Sequence, residues 1–273
     1  MAIVAISRQV AALGDEIAAS AAEKLGYKFV RRQELEQRIV NLGFPAEKLY
    51  KYDEKKPKFF ASLVKDRDEY LQYLQTAVLE AASEDNCILI GRGSYIILED
   101  VQSLISFRLI ANNSVRIERL EKEFSWTEKQ ARQRIDESDL NRRGFHKSFF
   151  NVELDDLTRF HLIMNTGIIG VEEGADIITS LVRTTITPER DAEGNKKLRT
   201  MLDAQHLVNK LVFDYKINIE FLRAVIDGKT VTLQGVADSS AVVERALKLT
   251  AETMPGYTAK SAVSIIQDFK AYP

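Results

Sequence analysis

Hydrophobic and polar residues fall into two kinds of block along this chain. Residues 2–6, 87–90, 103–110 and 161–165 are short, almost wholly apolar runs. That is the pattern of strands buried on both faces. Longer stretches carry apolar residues that return at three and four: 16–26, 32–42, 59–84, 115–124, 127–140 and 171–182. These predict amphipathic helices. The first of them stops at Gly26, as helices often do, and residues 27–30 read as a short extended piece. Strands separated by helices predict an α/β fold, a parallel sheet flanked by helices on both faces.

The pattern changes after residue 183. Residues 184–197 hold Thr184-Thr185, Thr187-Pro188 and the run Asp191 to Asn195 with Gly194 inside it, all turn signals. They read as a linker. Beyond it come a helix (198–213), two alternating strands (217–225 and 230–234) around Asp227-Gly228, a helix (239–254) and a last strand (259–266). Asp-Gly between two such runs predicts a hairpin. The result is a small C-terminal α+β domain over residues 198–273, beside a larger domain over 1–183. Residues 51–58 read as a charged connector. Within it Lys55, Lys56, Pro57 and Lys58 form either a solvated turn or a loop that closes over a ligand.

Composition narrows the classes. The chain has 273 residues, 45% hydrophobic and 29% charged, with a formal net charge of −2. A core of good size can form. Nothing pulls the chain toward nucleic acid or acidic membranes. The single cysteine, Cys87, excludes an internal disulfide and a cysteine-based zinc site, and its apolar surroundings predict a buried structural thiol. His146, His161 and His206 show no metal-ligand spacing, so no metal site is expected. The chain opens without a signal-like segment and has no long apolar stretch. It reads as a bacterial-type cytoplasmic protein that is not transmembrane.

The chemistry concentrates between the first strand and the first helix. Strand, tight loop, helix is the layout of a phosphate-binding loop. Such loops carry several glycines and a Lys-Ser/Thr pair at the helix start. Here the loop runs Val10, Ala11, Ala12, Leu13, Gly14, and Asp15-Glu16 stand where the cation and hydroxyl belong. The Cβ atoms of Ala11, Ala12 and Leu13 restrict positive φ and close approach. A carboxylate ~4 Å from a phosphate costs about 4 kcal/mol at an effective dielectric of 20. Asp15 and Glu16 also complement the positive end of the helix. Arg8 supplies a cation that the loop lacks, or pairs with a nearby acid.

Four stretches, in order, resemble the cytidylate kinase-like family, a branch of the P-loop nucleoside monophosphate kinases. They are Ile6-Ser7-Arg8-Gln9 followed by Gly14 and Glu16-Ile17-Ala18; Ile90-Gly91-Arg92-Gly93; Asp136-Glu137-Ser138-Asp139-Leu140-Asn141-Arg142; and Asn165-Thr166 before a helix. The resemblance implies a P-loop kinase-like sheet over 1–183. It implies a nucleotide or phosphate site made of Ser7, Arg8, Gly14, Arg92, Asp139 and Arg142. In the family the Arg92 position takes the phosphate of the monophosphate, and lid arginines, here Arg142 and Arg143, reach the transferred group. The arginine the family places before Asp136 is Ile135 here. ATP and Mg2+ are the implied cofactors, which Asp15 and Glu16 oppose. Residues 198–273 resemble a BON domain, on Ile217 to Glu220, Asp227-Gly228, Val231 to Gly235 and Met254-Pro255-Gly256. Such domains are modules that bind phospholipid or protein.

Three functions follow as expectations. The first is a nucleoside monophosphate-binding protein with a degenerate phosphate loop and weak or absent phosphotransfer, coupled to a BON-like module. The second is an active ATP-dependent kinase. The third is a non-enzymatic interaction module acting through the BON-like domain.

Overall fold

A computed structural model of the chain describes residues 1–49, 52, 62–84 and 86–266. The connector residues 51 and 53–58, with Lys55, Lys56, Pro57 and Lys58, lie outside the described residues. The chain divides into two compact units, Met1–Leu198 and Arg199–Pro273.

The first unit is built on five parallel strands: β1 (Ile3–Arg8), β2 (Lys28–Val30), β3 (Cys87–Ile90), β4 (Leu104–Ile110) and β5 (Leu162–Asn165). Their order is β2-β3-β1-β4-β5, so β1 lies at the centre. Val4 and Ile6 of β1, Ile88 and Ile90 of β3, and Ile105 and Phe107 of β4 form one buried cluster. It is closed by Ile17, Ala18 and Ala21 of α1 (Gly14–Leu25) and by Ala175, Ile178 and Val182 of α8 (Val171–Thr185). Alternate residues face the other side, so both faces of β1, β3 and β4 are buried, as continuous apolar runs require, while the edge strands β2 and β5 are partly exposed. Helix α1 ends where Gly26 turns left-handed and its amide donates to Ala22 and Glu23 carbonyls.

The remaining helices of this unit are α2 (Arg32–Asn41), α3 (Ala46–Leu49), α4 (Ser62–Glu84), α5 (Ser94–Ile97), α6 (Asn113–Phe124) and α7 (Glu128–Phe150). Tyr70 and Tyr73 of α4 and Phe149 of α7 are buried with Phe44 and Tyr52. The Tyr52 and Tyr70 rings stack 4.6 Å apart. Cys87 is buried as well. Helix α7 runs ten residues past its predicted end because Phe145 and Phe149, one turn apart, continue its buried face.

The linker expected over 184–197 is helical on both sides of Ile186 and Thr187. Helix α9 (Pro188–Asn209) begins with proline at a position where the missing amide costs nothing, and the Thr187 hydroxyl accepts from the Arg190 amide. Gly194 does not break it. A Cβ there would lie 2.1 Å from Ser103 Oγ, so the glycine serves close packing.

His161, just before β5, accepts the Ser106 amide on Nδ1 at 3.0 Å, which requires the neutral ring. Burial, with the Arg190 charge adding, lowers its pKa from the ordinary 6.5. The unfolded chain therefore binds the proton first, and this contribution to stability is lost as pH falls below about 6.5. Replacing His161 with Asn is expected to flatten the acid side of the stability–pH curve. Thermal melts from pH 7.5 down to 5 check it; unchanged curvature contradicts it.

The second unit carries β6 (Glu220–Asp227), β7 (Thr230–Ala237), α10 (Ser240–Thr253) and β8 (Thr258–Ile265). Strands β6 and β7 are an antiparallel hairpin closed across Gly228-Lys229, and β8 adds parallel to β7. Gly235 has φ 147°, and a Cβ there would meet the Glu220 carbonyl at 2.7 Å, so no other residue fits. Leu222, Val231, Leu233, Val243 and Ala246 form its core. Among the described residues no helix is long and apolar enough to cross a membrane.

Candidate functional site

The loop between β1 and α1 has a conformation its sequence does not favour. Ala11 (φ 57°) and Leu13 (φ 53°) are both left-handed without being glycine. That costs of order 1 kcal/mol or more at each position, so neighbours must hold it. Val10 and Ala11 pack against Ile117 and Leu120 of α6 and Ala131 and Ile135 of α7. Ala12 and Leu13 pack into the sheet core. Gly14 is required by a close approach, since a Cβ would lie 2.6 Å from Arg8 Cγ.

Helix α1 starts with no side-chain cap on its first-turn amides. Asp15 and Glu16 sit in that turn, where a carboxylate complements the positive helix end. Asp15 Oδ2 lies 4.0 Å from Arg8 Nε, and its side chain is 65% exposed. The cation of Arg8 and the anion expected to disturb a phosphate thus face each other.

Three arginines hold the loop by its carbonyls. Arg142 Nη1 donates to Arg8 O at 2.6 Å. Arg116 Nε donates to Val10 O at 3.0 Å. Arg119 Nη1 donates to Ala11 O at 2.9 Å, and its Nη2 to Thr166 O at 2.6 Å. Arg116 is also clamped by Asp139 through two bonds of 2.9 and 2.8 Å. Charge-assisted bonds of this fork geometry are the strong ones. Asp139 reaches the loop only through Arg116, while Arg142 touches it directly. Arg143, the next residue on α7, is exposed.

Arg92, left-handed at φ 56°, is buried beyond the end of β3. Its Nη1 donates to Tyr52 O at 2.7 Å, and its Nη2 pairs with Glu36 Oε1. Ser7 accepts from Arg108 Nη1 at 2.7 Å. Arg108 is 5% exposed, with no carboxylate within ion-pair distance among the described residues. Burial, with the Arg142 charge adding, pushes its pKa down to about 10.

Arg108, Arg116 and Arg119 escaped the sequence reading, although one signal was present. Arg108 is the lone charge inside the apolar run of β4. Glu36 and Tyr95 left no such trace. An open cleft of about 690 Å³ adjoins Asp15 and is lined by Phe29, Arg31, Gln33 and Glu34. The Arg31 guanidinium lies over the Phe29 ring at 5.2 Å. Among the described residues no three His, Cys, Asp or Glu side chains gather as metal ligands.

Comparison with known proteins fits this architecture. No curated protein matches the chain. An uncharacterised protein from Eubacterium ventriosum is 18% identical with a TM-score of 0.54, over 67% of this chain and 99% of that one. That likeness concerns the fold. Shikimate kinase from Bacteroides thetaiotaomicron is 15% identical with a TM-score of 0.41, over 67% and 98%. Deoxyadenosine kinase from M. mycoides is 16% identical with a TM-score of 0.37, over 67% and 99%. The model of the cytidylate kinase-like family matches residues 3–168, which span the sheet, the loop and the arginines around it. With more than half of its length so matched, the chain belongs to the cytidylate kinase-like family.

Proposed function

We propose that residues 1–183 bind a nucleoside monophosphate and transfer phosphate weakly or not at all. The carrying observation is a contrast within one loop. Its turn keeps two left-handed residues and an uncapped helix start, while the cation position holds Asp15 beside Arg8. The first feature suits an anion; the second disfavours the crowded charge of a triphosphate with its metal. On this reading the loop is a degenerate phosphate loop. Arg142 and Arg116, with Asp139 behind Arg116, support the loop from its carbonyl side. Ser7, Arg8, Gly14 and Arg142 border the monophosphate, and Arg92, tied to Glu36, shapes the floor beside them.

Residues 198–273 are on this reading a BON-like module that attaches the nucleotide-binding unit to a protein or phospholipid partner. Its hairpin at Asp227-Gly228 and its strand Val231 to Gly235 support the likeness. The protein works in the cytoplasm.

Calorimetric titration with CMP, other nucleoside monophosphates, and ATP with Mg2+ tests the proposal. A monophosphate is expected to bind at least tenfold more tightly than ATP with Mg2+. Failure of every nucleotide to bind ends it. A second reading, an active ATP-dependent kinase, is favoured by the closeness of Arg8 to the loop. It requires release of ADP with some acceptor, and its loss in Arg92→Ala.

A further inference from the structure

The face of the sheet away from α1 carries polar groups that the loop does not use. Ser7 of β1 and Arg108 of β4 are register partners. The Arg108 guanidinium spends one of its five N–H groups on Ser7 Oγ and meets no carboxylate among the described residues. A buried guanidinium with no carboxylate in contact, Asp139 and Asp155 acting only from a distance, is costly. Tyr95 of α5 stands close by. It is 4% exposed, and its hydroxyl has no hydrogen-bond partner among the described residues. A buried tyrosine hydroxyl ordinarily finds a partner. Burial pushes the Tyr95 hydroxyl up to about 12, against the pull of the Arg108 and Arg159 charges. The Tyr95 ring is fixed by Phe160 at 4.5 Å and His146 at 5.7 Å. His146 Nδ1 lies 2.8 Å from the Arg142 carbonyl, which joins the group to the loop.

We propose that Arg108, Tyr95 and Ser7 form a buried phosphate-binding subsite, with Arg142 as its second positive charge. The groups present are those a phosphate takes: the remaining N–H donors of Arg108, two hydroxyl donors, and two cations, Arg108 and Arg142, close enough for their charges to act on each other. A phosphate there provides a counter-charge in contact with Arg108, on which Asp139 and Asp155 act only from beyond ion-pair distance, and the acceptor that Tyr95 lacks. The phosphate is that of the proposed nucleoside monophosphate, and for this assignment the inference rests on that reading. Arg108 rather than Arg92 is then its anchor, because Arg92 already pairs with Glu36.

The test is calorimetry and thermal melting on the full chain with two ligands, inorganic phosphate and CMP. Variants are Arg108→Gln, Tyr95→Phe and, as a surface control, Arg132→Gln. Wild type and control are expected to bind inorganic phosphate and to melt higher in its presence. Arg108→Gln is expected to lose at least tenfold in affinity for phosphate and for CMP alike, and Tyr95→Phe several-fold. Without ligand Arg108→Gln is expected to melt no lower than wild type, since it removes an unpaired buried charge. A folded Arg108→Gln that binds phosphate as wild type does, or a wild type with no affinity for phosphate, overturns the subsite. If Arg108→Gln does not fold, Tyr95→Phe decides: unchanged phosphate affinity overturns the proposal. Phosphate binding that depends on Arg108 while CMP does not bind upholds the subsite and refutes the nucleotide reading.

Discussion

Asp15→Lys is expected to raise the affinity for ATP with Mg2+ by at least tenfold, and Asp15→Asn by a smaller factor. The expectation follows from charge at one turn. Asp15 stands in the first turn of α1, on the loop where a P-loop kinase places its cation. At ~4 Å and an effective dielectric of 20 the full interaction with one phosphate charge is about 4 kcal/mol. Asp15 is 65% exposed, so solvent and salt reduce this, and a swing of about 1.5 kcal/mol, roughly tenfold, is the sober expectation. Lysine at this position also replaces a carboxylate beside Arg8 with a second cation, and a triphosphate is an anion that meets both. Titration of the two variants with ATP and Mg2+ reads the effect. If neither gains affinity, Asp15 is not what disfavours the triphosphate. The apolar anchoring of Val10, Ala11 and Leu13 then becomes the leading cause.

Asp139→Asn is expected to be the most destabilising single change in the first unit. Arg116 is 1% exposed and donates to both carboxylate oxygens of Asp139. Removing that charge leaves a buried guanidinium uncompensated, at about 3–5 kcal/mol. For a domain of this size the melting temperature falls by roughly 10 °C. The loss carries to the phosphate loop, because Arg116 also holds the Val10 carbonyl. Circular dichroism melts measure the first effect. An exposed pair such as Arg132–Glu128 provides the contrast: Glu128→Gln there is expected to cost well under about 1 kcal/mol. Equal effects at the two sites would show that the Arg116–Asp139 clamp contributes nothing special.

The sheet was legible in the sequence because its strands are short apolar runs and its helices keep a strict period. Those are properties of the chain itself. The helix over Pro188–Asn209 was legible only from residue 198 on; residues 188–197 read as linker, because Thr187, Pro188 and Gly194 are breakers in general. Here they serve as a cap, a first-turn residue and a close contact with Ser103. Local chemistry permits either use, and only the neighbour across space decides. The same holds for the site. Arg142 and Asp139 stood within a motif, and both lie at the loop's carbonyl side, though Asp139 meets the loop through an arginine that no motif marks. Arg92 stood in a motif as well, but its pairing with Glu36 depends on how α2 packs. Arg108 and Tyr95 are set apart by burial, the one with no ion-pair partner and the other with an unbonded hydroxyl among the described residues, which spacing along a chain does not express.

The most direct trial of the proposal that the phosphate loop is disabled is a crystal of the full chain grown or soaked with ATP and Mg2+. The account predicts that no triphosphate settles against the turn beside Gly14, with Asp15 still facing Arg8. ATP and magnesium seated there, with Asp15 turned aside or ligating the metal, would contradict it.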